Sequence, residues 1–225
     1  MGGNPGLLDA ELAHDTFFRK MSSPRSAPAR GRPALEPQRR PGKLRVAALM
    51  RAGAEVISER GFEAATMAEI AARAGAPIGS LYRFFPNKAA LADALMRRYS
   101  ELIDAAFEKI DSRRESLTTE AFADALLTTL VELRGETQAA VLAFLDARPD
   151  GSARRNELRD VFLHHVVRTL KLRDPRLGTR KAEDMAVVLL QNLKSMKSLS
   201  LERDAGAIAE LRTMTRLYLT SKLGE

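Results

Sequence analysis

The chain has 225 residues, 45% of them hydrophobic but only 5% aromatic, with no Trp and abundant Ala, Leu, Arg and Glu. That length can bury a sizeable core, and the composition suits a helical protein in water. The absence of cysteine excludes disulfides, thiolate metal sites and cysteine nucleophiles. The net charge is +7 and unevenly spread: nine Lys and Arg against Glu36 alone lie between Arg19 and Arg45, which points to a polyanion, nucleic acid first, near the N-terminal part.

No apolar run approaches the roughly 18 residues needed to span a bilayer, and no apolar signal segment opens the chain; the expected location is the cytoplasm. Residues 1–40 are rich in Gly, Pro, Ser and Arg without apolar periodicity, and are expected to form a disordered basic arm.

Helical periodicity begins near Lys43 with Val46, Met50, Gly53 or Ala54, and Ile57, and Gly61 is suited to close that helix in the left-handed conformation. Thr66 followed by Glu69 forms a capping-box pattern for a short second helix, with Met67, Ile70, Ala71 and Ala74 facing inward and Gly75 ending it. Pro77 is expected at the first position of a third helix, which ends at Phe85 because Pro86 disfavours helical geometry in its predecessor. Asn87 caps a long fourth helix to about Ile110 with Leu91, Leu95, Leu102, Ile103 and Phe107 on one stripe.

Further helical segments follow. Phe122, Leu126, Leu130 and Leu133 line one that ends at Gly135, and Val141, Leu142, Phe144 and Leu145 line the next. A polar loop, RPDGSARR, is expected before a helix over Leu158–Leu172. Two more cover about Lys181–Leu199 and Ala205–Leu223. No stretch alternates with period two between hairpin signals, so the fold class is all-α with about nine helices.

A short helix, a glycine turn and a second short helix over Thr66–Phe85 form a helix-turn-helix pattern. At 100° per residue, Leu81, Phe84 and Phe85 share the core side of the third helix. Gly79, Ser80 and Arg83 point away, offering base edges one hydroxyl, one guanidinium and no bulk. Thr66 at a helix N-terminus, the phenol of Tyr82 and the ammonium of Lys88 are candidate phosphate contacts, which position a protein on DNA without reading it. The competing reading, an ordinary buried helix pair, leaves Arg83 and Lys88 without a purpose.

The stretch ERGFEAATMAEIAARAGAPIGSLYRFFPNKAAL, Glu59 to Leu91, resembles the TetR/AcrR family of bacterial transcriptional regulators. The Gly-Phe after helix one, the Thr before helix two and GSLYRFFPNK all fall in register. The resemblance implies a DNA-binding domain over residues 41–88. It also implies a larger helical domain over 89–225 that binds a small effector and forms a homodimer, and repression relieved by that effector. By the same resemblance, Thr66, Tyr82 and Lys88 match phosphate-contacting positions, and Ile78, Gly79, Ser80 and Arg83 match the base-reading helix. Pro77 departs from the Ser or Thr frequent there and removes a hydroxyl and an N–H. Ile78 replaces a frequently polar residue and suits a thymine methyl.

Within the arm, RGRP at Arg30–Pro33 resembles the core of an AT-hook, in which Arg30 and Arg32 would enter a narrow A·T minor groove; a solvated basic tail adding non-specific affinity is the other reading. In the larger domain, MAVVLLQNLKSM is apolar around most of its circumference and must be covered on more than one side. Together with Ile208, Leu211, Met214, Leu217 and Tyr218 it is expected to form half of a four-helix dimer interface. His165, Gln191 and Asn192, set among apolar neighbours, are the candidate pocket residues for an apolar or amphipathic effector. No HExxH, phosphate loop or GxSxG appears, so neither an enzyme nor a cofactor is expected. The alternative function is an effector-independent architectural DNA-binding protein.

Overall fold

The computed structural model describes residues 40–199 and 203–223. Among them are nine helices and no strand: α1 (Arg40–Arg60), α2 (Met67–Arg73), α3 (Ile78–Phe84), α4 (Lys88–Asp111), α5 (Thr119–Glu132), α6 (Glu136–Asp146), α7 (Gly151–Arg173), α8 (Thr179–Ser198) and α9 (Ala205–Lys222). None of them is long and apolar enough to cross a membrane. Arg30 and Arg32, the candidate minor-groove residues, lie outside the described residues.

The chain divides into two compact units. The first takes the described residues up to Glu101 together with Arg134–Leu158; the second takes Leu102–Leu133 and the residues from Arg159 onward. In the first unit, α1 packs against α2 and α6, and α2 packs against α3. Leu49, Ile57, Ile70, Leu81 and Leu91 are fully buried there. Burial of each such side chain contributes about 1.5–3 kcal/mol. Gly53 marks the close approach of α1 to α4, for a Cβ built on it would lie 2.8 Å from Leu91 Cδ2. Phe62, just past α1, meets Phe144 of α6 edge-on at 4.9 Å between ring centres.

The second unit is built around Phe107, Phe122, Leu126, Leu130, Leu170 and Met185, with α9 laid against α5 and α8. Its buried polar groups are paired across helices. Thr169 donates its hydroxyl to Asp111 at 2.7 Å, and the Arg173 guanidinium reaches Thr119 at 3.2 Å and covers the Phe122 ring.

Local signals place the helix ends well in the first unit. The third helix differs by one residue at each end from the sequence expectation. Pro77 is its N-cap, with ψ 138°, and Phe85 is its C-cap, with φ −128° and ψ 99°. The extended geometry of Phe85 is what the following Pro86 imposes. A larger difference concerns RPDGSARR, expected as a loop: α7 starts inside it, at Gly151. Asp150 holds that start, accepting from the Arg154 Nε at 2.6 Å and from Arg148 at 3.2 Å. Only glycine fits at 151, since a Cβ there would lie 2.2 Å from the Leu145 carbonyl oxygen.

Candidate nucleic-acid interface

The helix-turn-helix is assembled from backbone chemistry. Gly61, with φ +79°, ends α1 and donates its N–H to the Ile57 carbonyl at 2.9 Å. Thr66 then begins α2: its hydroxyl accepts from the Glu69 N–H at 3.2 Å, and the Glu69 carboxylate accepts the Thr66 N–H at 3.1 Å. This reciprocal capping box satisfies two donors that a helix start leaves open. At the other end Gly75, with φ +58°, donates to Ala72 and Ala76 donates to Ala71, both at 3.0 Å. That pair of bonds around a left-handed glycine is a Schellman closure, and it fixes the turn into α3.

Charged pairs brace α1 against α2. Arg73 grips Glu59 through two hydrogen bonds of 2.8 and 2.9 Å and approaches Glu55 at 3.6 Å, while Arg60 approaches Glu69 at 3.5 Å. The hydrogen bond from Arg73 holds the Glu59 carboxyl below its usual range, and the bonds from Thr66 do the same for Glu69.

α3 presents two faces. Leu81 is fully buried and Phe85 nearly so, whereas Ile78, Gly79, Tyr82 and Arg83 are exposed and Ser80 and Phe84 half-buried. A Cβ on Gly79 would meet nothing within 4 Å, so the outward side of the helix there is open. The Arg83 guanidinium sits 6.0 Å from the Phe84 ring centre, and no ion pair among the described residues engages it.

The candidate phosphate residues are less uniform. Tyr82 is 50% exposed. The Thr66 hydroxyl is committed within the capping box, donating to Glu69 at 2.9 Å. The Lys88 ammonium, a candidate phosphate contact, donates to the carbonyls of Glu63 at 2.8 Å and Ala65 at 2.9 Å and lies 4.7 Å from the Phe62 ring centre. An ammonium has three N–H donors, so one remains. No sequence signal announced this clamp, because both carbonyls belong to a loop more than twenty residues away. Lys88→Met is expected to destabilise the first unit by about 1–2 kcal/mol, from two stranded carbonyls, even without DNA. Urea unfolding of the free protein measures it, and an unchanged midpoint would mean the carbonyl bonds contribute nothing.

The effector candidates are not alike either. His165 is 6% exposed, stacks on Phe107 at 5.1 Å and stands 3.4 Å from Asp104. Asn192 donates to Thr215 of α9 at 3.2 Å, and Gln191 is exposed. Among the described residues no group of three or more His, Asp or Glu side chains is placed to hold a metal.

Residues 49–95, which span this helix-turn-helix, match the family model described as bacterial regulatory proteins, tetR family. Among curated proteins, the chain is 35% identical over 113 residues to the transcriptional regulator AcuR of Cereibacter sphaeroides, covering 50% of this chain and 45% of that one. It is 28% identical over 167 residues to the transcriptional repressor KstR of Mycolicibacterium smegmatis, covering 60% and 81%. The match thus spans about half of the first relative's length. In fold the chain is similar to a transcriptional regulator from Aquifex aeolicus, with a TM-score of 0.57 at 19% identity, over 78% of this chain and 97% of that one. It is also similar to the fatty acid degradation regulator FadR of Bacillus halodurans, with a TM-score of 0.55 at 20% identity, over 79% and 97%. A capped helix-turn-helix with a two-faced second helix, and the family match upon it, lead to one conclusion: residues 49–95 form a helix-turn-helix segment similar to that of the tetR family of bacterial regulatory proteins, within a helical chain whose fold is like that of solved transcriptional regulators.

Proposed function

We propose that the protein is a dimeric repressor that binds a palindromic operator through α3 and leaves it when a small apolar or amphipathic effector binds. The observation that carries the DNA-binding half is the open face of α3: Ile78, Gly79 and Arg83 exposed around a buried Leu81. In this reading Arg83 pairs with guanine, Ser80 with a neighbouring base and Ile78 with a thymine methyl. Tyr82, Thr66 and the remaining Lys88 donor meet phosphates. Residues 41–88 read the operator and 89–225 carry effector and partner. The basic arm adds salt-dependent affinity through Arg30 and Arg32.

Exposed apolar side chains support the dimer. Val187 and Val188 on α8 and Met214 and Leu217 on α9 are 37–60% exposed, and a second copy of the same two helices would cover them in a four-helix arrangement. Leu217→Asp is therefore expected to shift the protein from dimer to monomer in sedimentation and to weaken operator binding strongly. A variant that stays dimeric would refute this face as the interface.

An architectural role without an effector is the competing function. Competition binding at about 0.2 M salt separates the two, because non-specific contacts lose most of their affinity by then. The repressor reading expects a palindrome to outcompete random duplex; equal competition by both would favour the architectural one.

A further inference from the structure

Arg134 stands between Leu133, the C-cap of α5, and Gly135, the N-cap of α6, and belongs to the first unit. Its Nε and Nη1 are buried, and no hydrogen-bond partner reaches either. Burial lowers its pKa, and the sole charge interaction that opposes this comes from Tyr99, not from an acid. Three acids of the unit are engaged by other arginines: Asp146 by Arg155, Asp150 by Arg148 and Arg154, Glu101 by Arg98.

Tyr99 is 2% exposed, and its oxygen accepts a hydrogen bond from Gln138 Nε2 at 2.9 Å. No hydrogen bond among the described residues uses the phenol's own proton. Burial pushes the phenol up to about 12, so that proton is present at neutral pH. The cluster is therefore rich in donors: two guanidinium nitrogens are without partners, and no hydrogen bond among the described residues takes the phenol proton. Arg134 as a whole is half-buried, but two of its guanidinium nitrogens are buried without an acceptor, and an unsatisfied buried group calls for an ion or ligand that completes it.

We propose that Arg134 and Tyr99 bind the carboxylate of a small monoanionic ligand. A carboxylate offers two oxygens to these donors in charge-assisted bonds. One guanidinium balances one negative charge, which disfavours a phosphate dianion. Leu95 and Met96, one turn before Tyr99 on α4, and Ala140 and Val141, just past Gln138 on α6, are all buried; the neighbourhood suits an apolar remainder to the ligand. The inference rests on the effector-responsive reading and narrows that effector to an organic acid with an apolar tail.

The test uses the full chain without DNA. Its melting temperature is followed against straight-chain fatty acids of increasing length, with the primary alcohols of equal length and inorganic phosphate as controls at matched ionic strength. At least one acid is expected to raise the melting temperature saturably, its alcohol and phosphate are not, and Arg134→Met is expected to weaken the acid about tenfold or more. Tyr99→Phe should weaken it several-fold with the fold intact. Without ligand, Arg134→Met should unfold no more readily than the wild type, since it removes an unpaired charge. The proposal is overturned by a series in which no acid acts, by alcohols that act equally, by an unaltered response of Arg134→Met, or by that variant failing to fold. Operator release is read separately: an acid that binds through Arg134 yet leaves DNA binding unchanged would refute the effector role and keep the carboxylate site.

Discussion

Leu81→Ala is expected to destabilise the first unit by about 2–5 kcal/mol, the cost of emptying a well-packed leucine site. Leu81 is fully buried and is the one buried residue within α3. A helix of seven residues has no stability of its own in water, so its position depends on tertiary packing. The loss should therefore appear twice, as a lower unfolding midpoint and as weaker operator binding by a protein that is still mostly folded. Tyr82→Ala, at a half-exposed site one residue away, serves as the contrast, with a stability change within about 0.5 kcal/mol. Equal effects of the two substitutions on stability would show that α3 is not anchored through Leu81.

Arg83→Ala has the opposite profile. The side chain is exposed, so the free protein should unfold within about 0.5 kcal/mol of the wild type. A bidentate arginine–guanine pair discriminates by about 1–3 kcal/mol, roughly 5- to 150-fold. That discrimination should vanish at one position in each half-site while preferences elsewhere persist. Binding-site selection on both proteins makes the comparison. Uniform weakening over all sequences would reassign Arg83 to a phosphate, the behaviour expected of Lys88 once its effect on stability is allowed for.

Much of the helix-turn-helix was legible because its signals are local. Thr66 and Glu69 are three residues apart, and Gly61 and Gly75 occupy the left-handed positions their helix ends require. Pro86 forces Phe85 out of helical geometry, and Asn87 caps the Ala90 N–H at 2.8 Å. The two-faced character of α3 followed from its period, apart from Ser80 and Phe84, which lie at the boundary and are half-buried. What the sequence concealed depends on chain segments meeting from afar. The packing of α6 on α1, the two carbonyls held by Lys88 and the pairing of Tyr99 with Gln138 have no local signature. The start of α7 was hidden for a related reason, since RPDGSARR has loop composition and becomes helical through Asp150 and the tight fit at Gly151. Arg134 was invisible as well: a single arginine before a glycine carries no pattern, and only its buried nitrogens set it apart.

The central claim is that two copies of α3 read one operator. Hydroxyl-radical and methylation footprinting on a selected binding sequence tests it most directly. The account predicts major-groove protection of guanines in two symmetric half-sites, about 34–36 Å or one helical turn apart, on one face of the duplex. Protection that is continuous, unsymmetric or confined to A·T minor grooves would contradict it.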